Sequence, residues 1–94
     1  MVFDWNELKN IQVKKVRGIG FERIVLAIED DCILDILDHP NQDRYKNQIL
    51  IIVNVENYAY VVPAVRTGDK WFLKTIFPSR KYTDRYLPGV RRNK

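Results

Sequence analysis

From Gln48 to Phe77 the apolar residues crowd into three runs, QILIIVNV, YAYVVPAVR and WFLKTIF, separated by Glu56-Asn57 and by Thr67-Gly68-Asp69-Lys70. β-Branched and aromatic residues fill the runs and polar turn-formers fill the breaks, so the stretch predicts an antiparallel three-stranded meander that forms the core. A two-residue turn at Glu56-Asn57 sets Val55 opposite Tyr58 and Val53 opposite Tyr60. A four-residue loop after it sets Arg66 opposite Trp71. One sheet face then carries Ile49, Ile51, Val53, Tyr60, Val62, Leu73 and Phe77. The other carries Leu50, Ile52, Asn54, Val61, Pro63, Val65, Phe72, Lys74 and Ile76. Both faces are largely apolar, so both need cover, by a helix pair on one side and a C-terminal helix near the other. Pro63 has no N–H to give to a ladder, which predicts a bulge or an unpaired edge there.

The pattern before the meander is helical. Asp4-Trp5-Asn6-Glu7 reads as a capping box, with Phe3 and Leu8 at the positions of a hydrophobic staple, and predicts a first helix over residues 5–17. Trp5, Leu8, Ile11 and Val16 would be its inner stripe, and Lys9, Lys14, Lys15 and Arg17 its outside. Gly18-Ile19-Gly20 breaks it. Phe21, Ile24, Val25 and Ile28 then recur at one-face spacing and predict a second helix over residues 21–30. Residues 32–38 read as a strand and HPNQDRYKN as a polar loop. After the meander, Pro78-Ser79 opens a last helix capped by Ser79, and Pro88-Gly89 closes it. The expected fold is α+β: two N-terminal helices on a mainly antiparallel four-stranded sheet with a short C-terminal helix, one domain over residues 1–87 and a basic tail over 88–94.

Composition narrows the class. Hydrophobic residues make up 46% of the 94 and aromatics 12%, enough for a packed core rather than a disordered chain. The one cysteine, Cys32, cannot form an internal disulfide or a cysteine zinc site. No apolar run approaches the roughly 20 residues that span a bilayer, and MVFDWNELK is not a signal peptide, so a cytoplasmic protein is expected. Charge is segregated: residues 21–44 sum to −5, whereas residues 63–94 sum to +7 within a chain of +4. One face therefore attracts phosphates and another repels them.

The cations and tyrosines near the C-terminus are the candidate chemistry. Arg80 opens a helix, where backbone N–H groups already favour an anion and a guanidinium holds phosphate bidentately; the competing use is a surface pair with Asp84. Lys74 interrupts an apolar face, which a lysine does at an edge or a site. His39 is the only histidine, so a two-histidine ribonuclease mechanism is excluded. Asp30, Asp31, Asp35 and Asp38 lack close metal-ligand spacing, and no P-loop, GxGxxG or GxSxG occurs. Tyr58, Tyr60 and Trp71 are the residue types that stack on bases, and also those that fill a β core.

Three short segments also carry a resemblance. Phe3-Asp4-Trp5-Asn6-Glu7-Leu8-Lys9-Asn10 resembles the F-x-W-D-x-x-K-N opening of the BrnT family of bacterial toxins. Gly18-Ile19-Gly20-Phe21-Glu22 is similar to that family's G-V-S-F-E, and Thr75-Ile76-Phe77-Pro78-Ser79-Arg80-Lys81 to its closing I-x-S-A-R-K, followed by a tyrosine as at Tyr86. The likeness runs over residues 3–87 and implies a RelE-like fold and the toxin component of a type II toxin–antitoxin system. It implies a metal-independent endoribonuclease that cleaves mRNA with no cofactor, restrained by a small antitoxin of ribbon–helix–helix type and meeting operator DNA only through that complex. No membrane is involved. On this reading Arg80 clamps the scissile phosphate, Lys74 and Lys81 support charge, and Tyr86 orients or donates. Lys15, Arg17, Arg66 and Arg85 bind RNA. The alternatives are a non-catalytic module of the same fold that pairs with an antitoxin and operator DNA, and an inhibitor of a DNA-processing enzyme.

Overall fold

A computed structural model of the chain describes residues 1–89; of the basic tail expected over 88–94, residues 90–94 lie outside them. The elements in order are β1 (Val2–Trp5), α1 (Glu7–Arg17), α2 (Phe21–Glu29), β2 (Ile33–Asp38), β3 (Gln48–Val55), β4 (Tyr58–Thr67), β5 (Lys70–Leu73), β6 (Phe77–Pro78) and α3 (Arg80–Tyr86). The strands form one six-stranded sheet in the order β1-β5-β4-β3-β2, with β6 on β4. The class is α+β, as expected, but the sheet is mixed and larger than four strands.

The meander forms as its turns dictate. Val55 pairs Tyr58 and Val53 pairs Tyr60. Glu56 and Asn57 both take positive φ, 52° and 65°, the backbone of a tight two-residue hairpin whose twist matches the strands. Arg66 pairs Trp71, and Thr67 also pairs Lys70, so that loop shortens to Gly68 and Asp69. Gly68 sits at φ 61°. Pro63 marks an interruption, as predicted. It keeps its place opposite Leu50, its carbonyl accepts from Lys74 N at 2.8 Å, and β4 changes partner there from β5 to β6.

That change of partner corrects the face assigned to Phe77 and Ile76. Four steps run from Leu73 to Phe77 but only three from Ala64 to Val61, the residues they oppose. One extra residue reverses the alternation. Ile76 therefore enters the helix-side core, and Phe77 is left 37% exposed.

The N-terminus departs further from expectation. Trp5, expected to begin the first helix, instead ends a strand over residues 2–5 that runs parallel to β5, with Phe3 opposite Trp71 and Trp5 opposite Leu73. Phe3 meets Trp71 edge-on and Trp5 stacks on Phe21, so alternate side chains point into the core. Asp4 faces outward, where Trp5 N donates to it and Lys70 approaches to 3.3 Å. Asn6 is the real cap of α1, accepting from Lys9 N at 3.0 Å. The predicted inner stripe of α1 is also overturned: Leu8, Ile11 and Val16 are 78%, 57% and 65% exposed, and the buried residues are Asn10 and Val13.

Asn10 explains the orientation. Its Oδ1 accepts from Phe21 N at 2.8 Å, and its Nδ2 donates to Glu22 at 2.9 Å and to Glu7 at 3.3 Å. Gly20, the cap position of α2, has no side chain to offer, so Asn10 caps that helix from α1. A buried amide with its partners in place costs little, and its loss would orphan the Phe21 N–H.

Two cores result. Val13, Phe21, Ile24 and Ala27 of the helix pair pack on Ile51, Val53, Val62, Leu73 and their neighbours. On the opposite face Tyr82 and Tyr86 of α3, together with Leu34, Leu37 and Leu50, pack on Ile52, Ala59 and Val61. Ser79 caps α3 by accepting from Tyr82 N at 3.1 Å. Buried Thr83 then pins the helix to the sheet, accepting from Ala59 N at 2.9 Å and donating to Ser79 O at 2.7 Å. Among the described residues no helix is long and apolar enough to cross a membrane.

Candidate nucleic-acid interface

The edge of β4 beyond the end of β5 carries residues 74–81. Lys74 N bonds Pro63 O, and Ser79 N bonds Ala59 O. Those anchors lie four residues apart on β4, about 13 Å at strand rise. Lys74, Phe77, Arg80 and Lys81 are exposed along this strip. α3 continues it with Arg85. The aromatics beneath hold the cations: Lys74 Nζ lies 5.7 Å from the Phe72 ring, Lys81 Nζ 5.1 Å from Tyr82 and the Arg85 guanidinium 5.6 Å from Tyr86. Tyr82 and Tyr86 stack on each other, with centroids 6.0 Å apart.

Across the strip, on the helix-pair side, a cleft of about 150 Å³ opens between α1 and Thr75 and Ile76. Lys9, Gln12, Arg17 and Thr75 are its polar lining, over Val13, Val16 and Ile76. Arg17 thus comes beside the link that carries Lys74. Lys9, Gln12 and Thr75 were not singled out in the sequence. Lys9 and Arg17 stand eight apart on one helix, which is legible only once the true inner face of α1 is known.

The predicted residues do not all converge. Arg80, Lys81 and Arg85 share α3, and Lys74 sits at the other end of the strip. Arg66 lies at the far end of β4, where its N–H reaches Asn47 O; seven residues, about 23 Å, separate it from Ala59. Lys15 is exposed on α1 but is not part of the cleft lining.

Tyr86 turns inward. Its hydroxyl donates to Asp35 Oδ2 at 2.5 Å, bridging α3 to β2. That bond, with desolvation and the Asp35 charge behind it, raises the phenol above its usual value of 10.0. The same bond, with the Ile36 N–H, holds the Asp35 carboxyl below the usual carboxylate range. The Tyr86 proton is committed to a carboxylate, so offering it to a phosphate requires breaking this bond.

The other candidates are structural. Trp71 is 5% exposed and belongs to the core. His39 accepts from Asn41 N at 3.0 Å through Nδ1 and lies against Tyr45, with ring centroids 4.2 Å apart, so it organises its loop. Among the described residues no group of three or more histidine, cysteine, aspartate or glutamate side chains could hold a metal ion. What the surface can do is bind anions with cations and stack planar groups on tyrosine and phenylalanine. No protein-family model matches the chain, and neither does any curated protein or any solved structure.

Proposed function

We propose that this protein binds RNA along the strip of residues 74–81 and cleaves it without a metal, as the toxin of a type II toxin–antitoxin pair. The observation that carries the binding part is the run of exposed cations Lys74, Arg80, Lys81 and Arg85 on one edge and helix, with Lys74, Lys81 and Arg85 laid over aromatic rings. Cleavage and the toxin role rest on the sequence resemblance and on what these side chains can do. Attack by a ribose 2′-OH builds charge on a crowded phosphorane, which fixed cations stabilise. Arg80 is the clamp, because its planar fork meets two phosphate oxygens at once. Lys74 and Lys81 add charge, and Tyr86 acts once the substrate draws it from Asp35.

A masking partner belongs to the same proposal. α1 presents Leu8, Ile11 and Val16 to solvent, an apolar face bordered by Lys15, which suits a small antitoxin with apolar and acidic residues. The second reading, a non-catalytic binding module, is favoured by one observation: the Tyr86 proton is already engaged by Asp35.

Arg80→Ala separates the two readings. In the cleaving protein it lowers RNA cleavage by about two orders of magnitude, the scale of one lost charge stabiliser. Stability changes little, because Arg80 is exposed. Arg80→Lys restores little activity. Wild-type protein that binds RNA but leaves it intact establishes the module instead.

A further inference from the structure

The cleft between α1 and Thr75 differs in composition from the wider depression beside it. Two cations and two neutral hydrogen-bonding side chains line it, and no carboxylate does. The wider depression by the loop joining α1 to α2 is different: Glu22 and Glu56 line it, and Lys14 there is neutralised by Glu22 at 3.2 Å. The salt bridges among the described residues, Lys14 with Glu22 and Lys70 with Asp4, use neither Lys9 nor Arg17.

Size and spacing decide what fits. A volume of about 150 Å³ matches a cavity that takes one benzene-sized group and falls below the roughly 300 Å³ at which drug-sized ligands begin. A phosphate fits inside it, and the rest of a nucleotide would lie outside. Lys9 and Arg17 stand about 12 Å apart along the helix axis, a gap that two long side chains close from either end over Gln12. Buried Val13 and Ile76 form an apolar floor beneath these polar groups, where a charged hydrogen bond is stronger than in open water. A group with several oxygens and negative charge satisfies the guanidinium fork, the ammonium, the Gln12 amide and the Thr75 hydroxyl together.

We infer that this cleft is a single-phosphate subsite, taking a backbone phosphate of the strand whose neighbours lie on the strip next to Lys74. The anion affinity stands on the cleft alone; the identification of its source as RNA rests on the proposed function.

The test uses the full chain and two probes: inorganic phosphate, and a short RNA oligonucleotide methylated at every 2′-OH so that it binds without being cut. In a ¹⁵N–¹H titration, phosphate moves the Gln12 and Thr75 amides in wild type and in Arg80→Ala alike, and Arg17→Ala abolishes the shifts. Arg17→Ala weakens oligonucleotide binding about tenfold or more, the scale of one charge-assisted bond, and makes the salt slope shallower by about one. Arg17→Lys recovers the slope but only part of the affinity. Phosphate that moves no cleft amide overturns the subsite, as does an Arg17→Ala protein with wild-type oligonucleotide affinity and slope. Phosphate binding in the cleft with no oligonucleotide affinity overturns the backbone-phosphate assignment, and the RNA reading with it, in favour of a free anion.

Discussion

Thr83→Val tests whether one buried hydroxyl holds the cationic helix to the sheet. Valine keeps the shape of this fully buried side chain, so the space it fills stays filled. The hydroxyl's two bonds go. Ser79 O still receives Thr83 N at 3.0 Å, so its loss is slight. Ala59 N, by contrast, has its bond to Thr83 Oγ1 at 2.9 Å in a fully buried setting, and valine leaves it unpaired. An orphaned buried donor costs about 1–3 kcal/mol. At about 4–8 °C per kcal/mol for a domain of this size, a central loss of about 2 kcal/mol lowers Tm by about 8–16 °C. Thr83→Ser is the control. It keeps both bonds and loses one methyl, about 1 kcal/mol, so it falls about half as far. Thermal unfolding followed by circular dichroism measures all three proteins, and hydrogen exchange reports the Ala59 amide, which should exchange faster than the loss of global stability accounts for in the valine variant but not in the serine one. A valine variant as stable as wild type, or more stable than the serine one, refutes the argument.

Three further outcomes follow from the geometry. Gly20→Ala places a Cβ 2.4 Å from Lys14 Cε and 2.7 Å from Asn10 Oδ1; the lysine can swing aside but the bonded, buried Asn10 cannot, so urea unfolding should show a loss of about 1–3 kcal/mol. Leu8→Gln on the outer side of α1 should change stability by less than about 0.5 kcal/mol, whereas Val13→Ala on the inner side should cost about 2 kcal/mol, and the reverse order would restore the inner stripe expected from sequence. The bond from Tyr86 to Asp35 gives a pH signature. The depressed carboxyl contributes stability above its ordinary value of 3.8, lost as pH falls through its lower folded value. The raised phenol contributes stability below 10.0, lost as pH rises through its higher folded value. The Tm difference between wild type and Tyr86→Phe should therefore be greatest between those limits and shrink beyond both; a difference independent of pH would remove the bond from the account.

What the sequence determined by itself is the part of the molecule with local causes. The register of β3 and β4 follows from a two-residue turn at Glu56 and Asn57 and from period-two alternation, so it was legible to the residue. The same holds for the break at Gly18, where φ is 81°, and for Ser79 as the cap of α3, while the inner face of α2 was legible at Phe21 and Ile24 but not at Ala27, which is buried where Val25 and Ile28 are only partly so. The cations of the candidate site were visible as charge, but their grouping was not. Tertiary structure decided which face of α1 turns inward, because its apolar residues are few and the position that mattered was a buried amide, Asn10, whose partner N–H belongs to another helix. It decided that residues 2–5 pair in parallel with β5, a contact across about seventy residues that no local pattern encodes. It also decided the step at residues 74–76, where one extra residue reverses the sheet's alternation and opens the cleft that Lys9 and Arg17 share. Turn type and period act over a few bonds and are written in the chain, whereas the choice among distant partners depends on which arrangement buries most while leaving no polar group unpaired.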